Sequence, residues 1–221
     1  NQAGANCQMV FNGVVGDSYG PQALVKDGDG GMLLLAANTY RGGTVLSNGV
    51  LLVSNNTGSG TGTGDVTVWG GVLGGNGRIA RSVVVKSNGV LAVGSSIGSL
   101  AISNTLTFEA GATNLVEVDL GTGTNDSVVG LTNVSYGGTL VVSNVGSQPF
   151  TNGAALKIFD ALTYSGAFAA IVPNYPGPGL AWDTSTLPSD GTLRVQELGN
   201  SSPTVQLLIA NQTNTYGGNF N

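Results

Sequence analysis

The sequence Ser-Asn-Gly-Val-Leu-Leu-Val at residues 47–53 recurs forty residues later as Ser-Asn-Gly-Val-Leu-Ala-Val at residues 87–93. In both copies an Asn-Gly pair, which adopts a tight turn at little cost, leads directly into a short apolar segment. Residues 66–73, between the two copies, follow the same plan around a Gly-Gly turn. The pattern predicts a repeating unit of strand, glycine turn and strand.

The same unit recurs along the chain with an irregular period of 15 to 27 residues. The period is measured between the turn glycines Gly49, Gly71, Gly89, Gly111, Gly138 and Gly153. A period near twenty residues, with one pair of strands in each repeat, is typical of a solenoid whose coils stack on their neighbours. The sequence therefore predicts an all-β solenoid of about eleven coils. At ~4.8 Å per coil, the rod would be roughly 50 Å long.

Three motifs resemble one known repeat. Ala-Asn-Thr-Tyr-Arg-Gly-Gly-Thr at residues 37–44 resembles the signature of the autotransporter-associated β-strand repeat family, and Leu-Gly-Gly-Asn-Gly at residues 73–77 continues it. Residues 94–100 are similar to a later step of the repeat, and residues 179–185 resemble the end of passenger regions in secreted bacterial proteins. The resemblance covers roughly residues 10–195. It implies a right-handed parallel β-helix that is exported and structural or adhesive, and it implies no catalytic residues.

A solenoid grows in one dimension, so we interpret the whole chain as a single domain. Residues 1–31 are the expected N-terminal capping coil, because a solenoid exposes its apolar end unless something covers it. Residues 32–134 form the predicted regular coils. Residues 135–198 are rich in aromatic residues and proline and are predicted to be an irregular C-terminal section or cap. Residues 199–221 are predicted to form a terminal strand and tail.

The composition argues against several classes of protein. Apolar residues make up 41% of the chain and charged residues 9%, which is the reverse of a disordered chain, so we expect the protein to fold. The net charge is −5 and seven Lys and Arg residues are scattered without a cluster, which argues against nucleic-acid binding. No apolar run approaches the ~20 residues of a transmembrane helix.

The sequence offers little for catalysis. It contains no histidine and one cysteine, which excludes Ser-His-Asp and Cys-His systems and thiolate metal sites. Glu117 and Asp119 lie two apart in a predicted strand and would project from one face about 7 Å apart, a spacing found among paired glycosidase carboxylates. The alternative is a solubilising strand face. Twelve acidic residues spread over the chain are hard to gather, so we predict no enzyme and no cofactor.

Two further sites are candidates for binding or cross-linking. Asp27 and Asp29 alternate with glycines as calcium loops do, although Asn38 stands where a twelve-residue loop would place its bidentate glutamate. A plain tight turn is the alternative. Cys7 permits no internal disulfide, which leaves a bond to another chain or a free thiol.

The C-terminal half offers candidate interaction residues. Tyr175 and Trp182 are candidates for a glycan platform, because flat rings stack on sugars, with core or cap packing as the alternative. A strand at the end of the chain could pair with another copy or within its own chain. The predicted interface between subunits comprises Val205, Leu207, Ile209, Tyr216 and Phe220 at this end, with Phe11 and Val14 near the other.

These features favour a secreted, extracellular structural protein that assembles head to tail into a filament or surface fibre, with other copies of itself as partners. The alternative is an adhesin or passenger segment that displays loops to a surface or glycan without polymerising. A carbohydrate-active enzyme is a distant third, since it requires an acidic cleft.

Overall fold

A computed structural model of the protein describes residues 7–199, which form nineteen β-strands and one short helix. In chain order the strands are β1 (Cys7–Phe11), β2 (Leu24–Lys26), β3 (Gly31–Leu34), β4 (Thr44–Leu46), β5 (Val50–Val53), β6 (Val66–Gly75), β7 (Arg78–Ile79), β8 (Val83–Val93), β9 (Ser99–Ile102), β10 (Thr105–Phe108), β11 (Thr113–Asp119), β12 (Thr124–Asn125), β13 (Ser127–Tyr136), β14 (Thr139–Asn144), β15 (Ala155–Lys157), β16 (Phe159–Gly166), β17 (Ala170–Val172), β18 (Leu180–Asp183) and β19 (Thr192–Glu197). The helix α1 (Leu187–Asp190) precedes the last strand.

Sixteen of the strands form one sheet that wraps into coils with three faces. The first face stacks β2, β4, the start of β6, the start of β8, β10, the end of β13 and the end of β16. The second face stacks β1, β3, β5, the ends of β6 and β8, β11, β14 and β17. The third face stacks β7, β9, the start of β13 and the start of β16. All these pairings are parallel, so the predicted all-β parallel solenoid is confirmed.

Long strands turn the corner between the first and second faces at glycines. In β6 the turn is made by Gly71, which has a φ of +72°. A Cβ atom at Gly71 would lie 2.3 Å from the carbonyl oxygen of Gly49 in the coil below. Gly49 also has a positive φ, of +76°, as its Asn-Gly turn predicts. The repeated glycines therefore mark corners at which the backbones of successive coils approach closely.

The number of coils differs from the predicted eleven. Within residues 7–199 the first face is seven strands deep, so the parallel stack is roughly 30 Å long along that face. The coils lengthen along the chain: Leu24 pairs with Thr44, twenty residues later, whereas Val134 pairs with Tyr164, thirty residues later. A constant period near twenty residues therefore overestimated the number of coils and the length of the rod.

The interior is filled by residues that alternate along each strand. Leu51, Leu73 and Leu91 pair in register on the second face, and all three are fully buried. Asn114 follows Leu91 in this row and is 1% exposed. Neither polar atom of its side-chain amide has a hydrogen-bond partner within the described residues. One polar side chain therefore interrupts a row that is otherwise aliphatic from Met32 to Leu140.

The C-terminal section adds a second, antiparallel sheet in the order β15, β19, β18. Its buried residues Leu193 and Val195 join the core of the coils. An aromatic cluster packs beside it, comprising Phe108, Tyr136, Phe159, Tyr164 and Phe168. The Tyr136 hydroxyl donates a hydrogen bond of 2.9 Å to the carbonyl oxygen of Leu187, which ties α1 to the coils. The proposed limits of the cap, at residues 135–198, stay a prediction.

Candidate interaction surfaces

The acidic residues of β11 lie on its outer side. Glu117 and Asp119 are both partly exposed and alternate with the buried Val116 and Val118. One Asp119 carboxylate oxygen accepts a hydrogen bond of 2.8 Å from the backbone N–H of Gly121. Both carboxylates therefore lie on one strand face. A glycosidase-like pair of acids and a solubilising strand face would both require this arrangement.

A third acid, Asp126, lies beside Glu117 and is 2% exposed. Its carboxylate accepts hydrogen bonds of 2.8 Å from the backbone N–H groups of Gly98 and Glu117. Burial raises the pKa of Asp126 to about 6, against the effect of these hydrogen bonds. Asp126 thus joins the corner before β9 to strand β11. Sequence reasoning missed it, because an acid that follows a run of Gly, Thr and Asn looks like any loop residue.

The surroundings of Asp126 leave no room for a substrate. The adjoining cavity has a volume of about 10 Å³ and is bordered by Gly94, Ser95 and Leu115 among others. A cavity of this size holds about one water molecule. Both carboxylate oxygens are already engaged by backbone N–H groups. The arrangement fixes the backbone at this corner, and it is not suited to sugar binding or proton transfer to a polymer.

The loop that carries Asp27 and Asp29 folds around the ammonium group of Lys26. Lys26 is 5% exposed, and its Nζ atom donates hydrogen bonds to the carbonyl oxygens of Asp27 at 3.1 Å, Gly28 at 2.6 Å and Asn48 at 3.0 Å. The Asp29 carboxylate accepts a hydrogen bond of 2.7 Å from the side-chain amide of Asn48.

The carbonyl oxygens that could serve a calcium ion are therefore directed at the chain's own cation. A calcium site at Asp27 and Asp29 stays a prediction that this arrangement does not favour. In the part of the chain that the structure describes, no group of three His, Cys, Asp or Glu residues could hold a metal ion.

The two candidate residues of the glycan platform have different surroundings. The Trp182 indole packs against Phe150, with ring centroids 5.1 Å apart in a T-shaped arrangement, and its N–H donates to the Pro173 carbonyl oxygen at 2.7 Å. Tyr175 is exposed. Trp182 thus serves packing, which was the alternative interpretation, and a glycan contact stays a prediction that depends mainly on Tyr175.

The C-terminal section also holds an apolar cavity of about 180 Å³. It lies between the aromatic cluster and α1, and its lining includes Tyr136, Phe168, Ile171, Leu187 and Pro188. Burial raises the pKa of Tyr136, so its hydroxyl remains a neutral donor to Leu187. A cavity of this kind accepts a small apolar group, whereas a glycan needs several polar partners.

The predicted interface residues lie partly outside the described residues. This applies to Val205, Leu207, Ile209, Tyr216 and Phe220. Phe11 packs against the core at the end of β1, and Val14 is exposed in the following loop. Cys7 begins β1 and pairs with Gly31 through its backbone, and its disulfide stays a prediction.

Within residues 7–199 the strands at both ends of the stack each pair with one strand only, and the Phe159 N–H at the start of β16 also donates to the carbonyl oxygen of Gly191 after α1. β1 pairs only with β3 and β2 only with β4, whereas β16 pairs only with β13 and β17 only with β14. Leu162, on β16, is among the most exposed apolar side chains. Within the same residues no helix is long and apolar enough to cross a membrane.

Comparison with known proteins gives two distant similarities, and no family model matches the chain. The adhesin BmaC autotransporter of Brucella suis is 29% identical over 166 residues, which are 72% of this chain and 5% of that protein. An extracellular serine protease of Serratia marcescens is 29% identical over 186 residues, or 80% of this chain and 17% of the protease. The chain therefore spans a small part of both relatives. These similarities indicate a relationship to autotransporter and extracellular bacterial proteins, while the specific repeat family is not confirmed.

Proposed function

We propose that the chain is a secreted, surface-associated β-solenoid with a structural and adhesive role. The proposal rests mainly on the parallel stack itself, which is seven strands deep on its first face and holds long outer faces in fixed register. A rigid stack presents side chains at regular intervals of ~4.8 Å, which suits repeated weak contacts with a surface.

The distant similarity supports an extracellular role, because one relative is named an adhesin and the other an extracellular protease. The second name does not make this chain a protease, since the chain corresponds to 17% of that protein. The chain contains no histidine, and its buried acid Asp126 is closed off by backbone groups. A non-catalytic role for this chain fits these observations best.

Head-to-tail assembly into a filament is the second candidate. It is favoured by β2 at one end and β17 at the other, each of which pairs with a single strand within residues 7–199. Pairing between such edges is heterologous and open-ended, which is the condition for a growing fibre. Strand donation by residues 203–221 is one form of this hypothesis.

Electron microscopy of the negatively stained protein over a range of concentrations separates the two candidates. The display role predicts isolated short rods at every concentration, together with binding to bacterial or host surface glycans on an array. Filaments that disappear when residues 203–221 are deleted, in a variant that keeps its β-sheet circular dichroism, would establish the filament role instead. Cleavage of a polysaccharide that Glu117→Gln abolishes would contradict both.

A further inference from the structure

The outer side of the second face carries a continuous apolar row. The register of the strands aligns outward-facing positions from β1 to β17, and the row includes Val10, Leu33, Leu52, Leu115, Val141 and Val172. Gly74 and Ala92 fill the two positions between Leu52 and Leu115. The terminal members Val10 and Val172 are 49% and 44% exposed. Every strand of this face thus places an uncharged residue in the row, but Gly74 and Ala92 in the middle are buried and the apolar side chains that reach solvent belong to the other six strands.

A second row runs parallel to the first, two residues earlier in each strand. Val50, Val72 and Val90 align in it and are partly exposed. The row continues through Thr113 and Thr139 to Ala170. Neither row contains a charged residue. We refer to the two rows together as the apolar strip.

Folding alone does not require the apolar strip. The residues that alternate with it, such as Leu51, Leu73 and Leu91, already fill the interior and are fully buried. A sheet with one buried face normally carries polar residues on the other. The Leu52 side chain also leans over Gly74, where a Cβ atom would lie 3.2 Å from Leu52 Cδ2, which makes the middle of the apolar strip smooth.

The size of the apolar strip can be compared with known interfaces. The first row spans eight strands and the second row six, with ~4.8 Å between strands and ~7 Å for each row, which gives an area of roughly 400 Å². This lies within the range for the largest apolar patch on a monomer, and such patches often mark contact sites. Two such surfaces would bury roughly 800 Å², which is the size of a weak, transient interface.

We infer that the apolar strip packs face to face against the apolar strip of a second copy of this chain. The apolar strip contains no charge with which to select a charged partner, although Glu117 borders it on β11, and the strip of a second copy matches it in shape and polarity. Two sheets pack stably in this way at a separation of about 10 Å. A twofold axis in the middle of the apolar strip brings each row of one copy onto the partner's strip and closes the contact as a dimer.

This contact is distinct from end-to-end assembly. It buries the side of the solenoid and leaves the strand edges of β1, β2, β16 and β17 unchanged, so it gives a discrete dimer rather than a growing series. Its small area implies weak association, with a Kd of roughly 10 µM to 1 mM. Copies held together on a surface would associate much more readily, because their effective concentration is high.

Sedimentation equilibrium of the full chain over roughly 1 µM to 1 mM tests the inference. The wild type should show a monomer–dimer equilibrium, and the double variant Leu52→Glu, Leu115→Glu should weaken it at least tenfold. The matched control is Val45→Glu, Val84→Glu, which adds the same charge on the outer side of the first face and should leave the dimer intact. A monomer at all concentrations, or equal weakening by both variants, would overturn the inference.

Three further variants test alternative explanations. If the glutamate variants fail to fold by circular dichroism, the pair Leu52→Ser, Leu115→Ser should show the same loss of dimer relative to Val45→Ser, Val84→Ser. Deletion of residues 203–221 should leave the dimer unchanged. A dimer abolished by that deletion would instead assign the contact to the C-terminal segment and overturn the face-to-face packing.

Discussion

The first and second faces of the solenoid are alike inside and different outside. Their inward residues are aliphatic and buried, for example Val66 and Val83 on the first face and Leu73 and Leu91 on the second. On the outer side of the first face, the Lys86 ammonium lies 5.1 Å from the centre of the Trp69 ring and pairs with Glu109. The outer side of the second face carries the apolar strip. Stacking of the coils needs only the inward side chains. Under the proposed dimer, the outward side chains differ because the two faces have different contacts.

Substitution of neighbouring leucines on the two sides of the second face should have the largest effect. Leu91→Ala removes a fully buried side chain and should lower the free energy of unfolding by about 2–5 kcal/mol. Leu52→Ala, on the outer side, should cost less than about 1 kcal/mol at low protein concentration. Urea denaturation measures both. Equal losses would show that the outer row is also needed for folding.

The pH dependence of stability should reveal the buried corner acid. Burial raises the pKa of Asp126 to about 6, whereas an aspartate in an unfolded chain titrates near ~3.9. The folded state therefore binds this proton more tightly, so the contribution is fully present below pH ~4 and is lost as the pH rises through about 6. The difference amounts to roughly 2–3 kcal/mol. Denaturation of Asp126→Asn between pH 4 and 7 should lack this component.

Asp17 provides a control of opposite sign. Hydrogen bonds from the backbone N–H groups of Gln22 and Arg41 lower the pKa of Asp17. Its contribution is therefore present at neutral pH and is lost as the pH falls below ~4. Asp17→Asn should change stability at pH 7 more than at pH 3, and identical pH profiles for the two variants would contradict both assignments.

The single polar residue of the inner leucine row should be replaceable with a gain. Asn114→Leu removes two buried polar atoms that have no hydrogen-bond partner in the described structure and continues the row of Leu91 and Leu140. The free energy of unfolding should rise by about 1–3 kcal/mol. Thermal denaturation followed by circular dichroism measures the shift. A loss of stability would indicate that an ordered water or another group satisfies the amide.

The charged pair on the first face should matter least. Glu109→Gln removes the partner of Lys86, and because Glu109 is substantially exposed the cost should be below about 1 kcal/mol and should shrink with added salt. Denaturation at low and high ionic strength measures this. The variant should also leave the association of the apolar strips unchanged, and a change there would remove the distinction between the two outer faces.

The repeated sequence predicted the coils well and the differences between them poorly. Each of the segments at residues 47–53 and 87–93 contains an Asn-Gly turn followed by an apolar strand. The positive φ of Gly49 and the strand after each turn were therefore predictable. The apolar strip was not, because Val-Leu-Leu-Val at residues 50–53 does not show which leucine faces outward until its neighbours are in register.

Contacts between residues that are far apart in the chain could not be predicted from the sequence. The buried Lys26 ammonium depends on a hydrogen bond to the carbonyl oxygen of Asn48 in the next coil. The buried Asp126 carboxylate depends on a hydrogen bond from the backbone N–H of Gly98, which is 28 residues away. The hydrogen bond from Tyr136 to Leu187 spans 51 residues. Each requires knowledge of which coil stacks on which, and the irregular coil length hides that information.

The most direct test of the account is to locate the contact between two copies with spin labels. Thr113 and Thr107 lie in the same coil, on the outer sides of the second and first faces. Labels would be placed at Thr113→Cys or Thr107→Cys in a Cys7→Ser background, and dipolar coupling between copies would be measured under dimer-forming conditions. The face-to-face dimer predicts a distance between labels at position 113 that is defined and shorter than the distance at position 107. A shorter distance at position 107, or no coupling at either position, would contradict it.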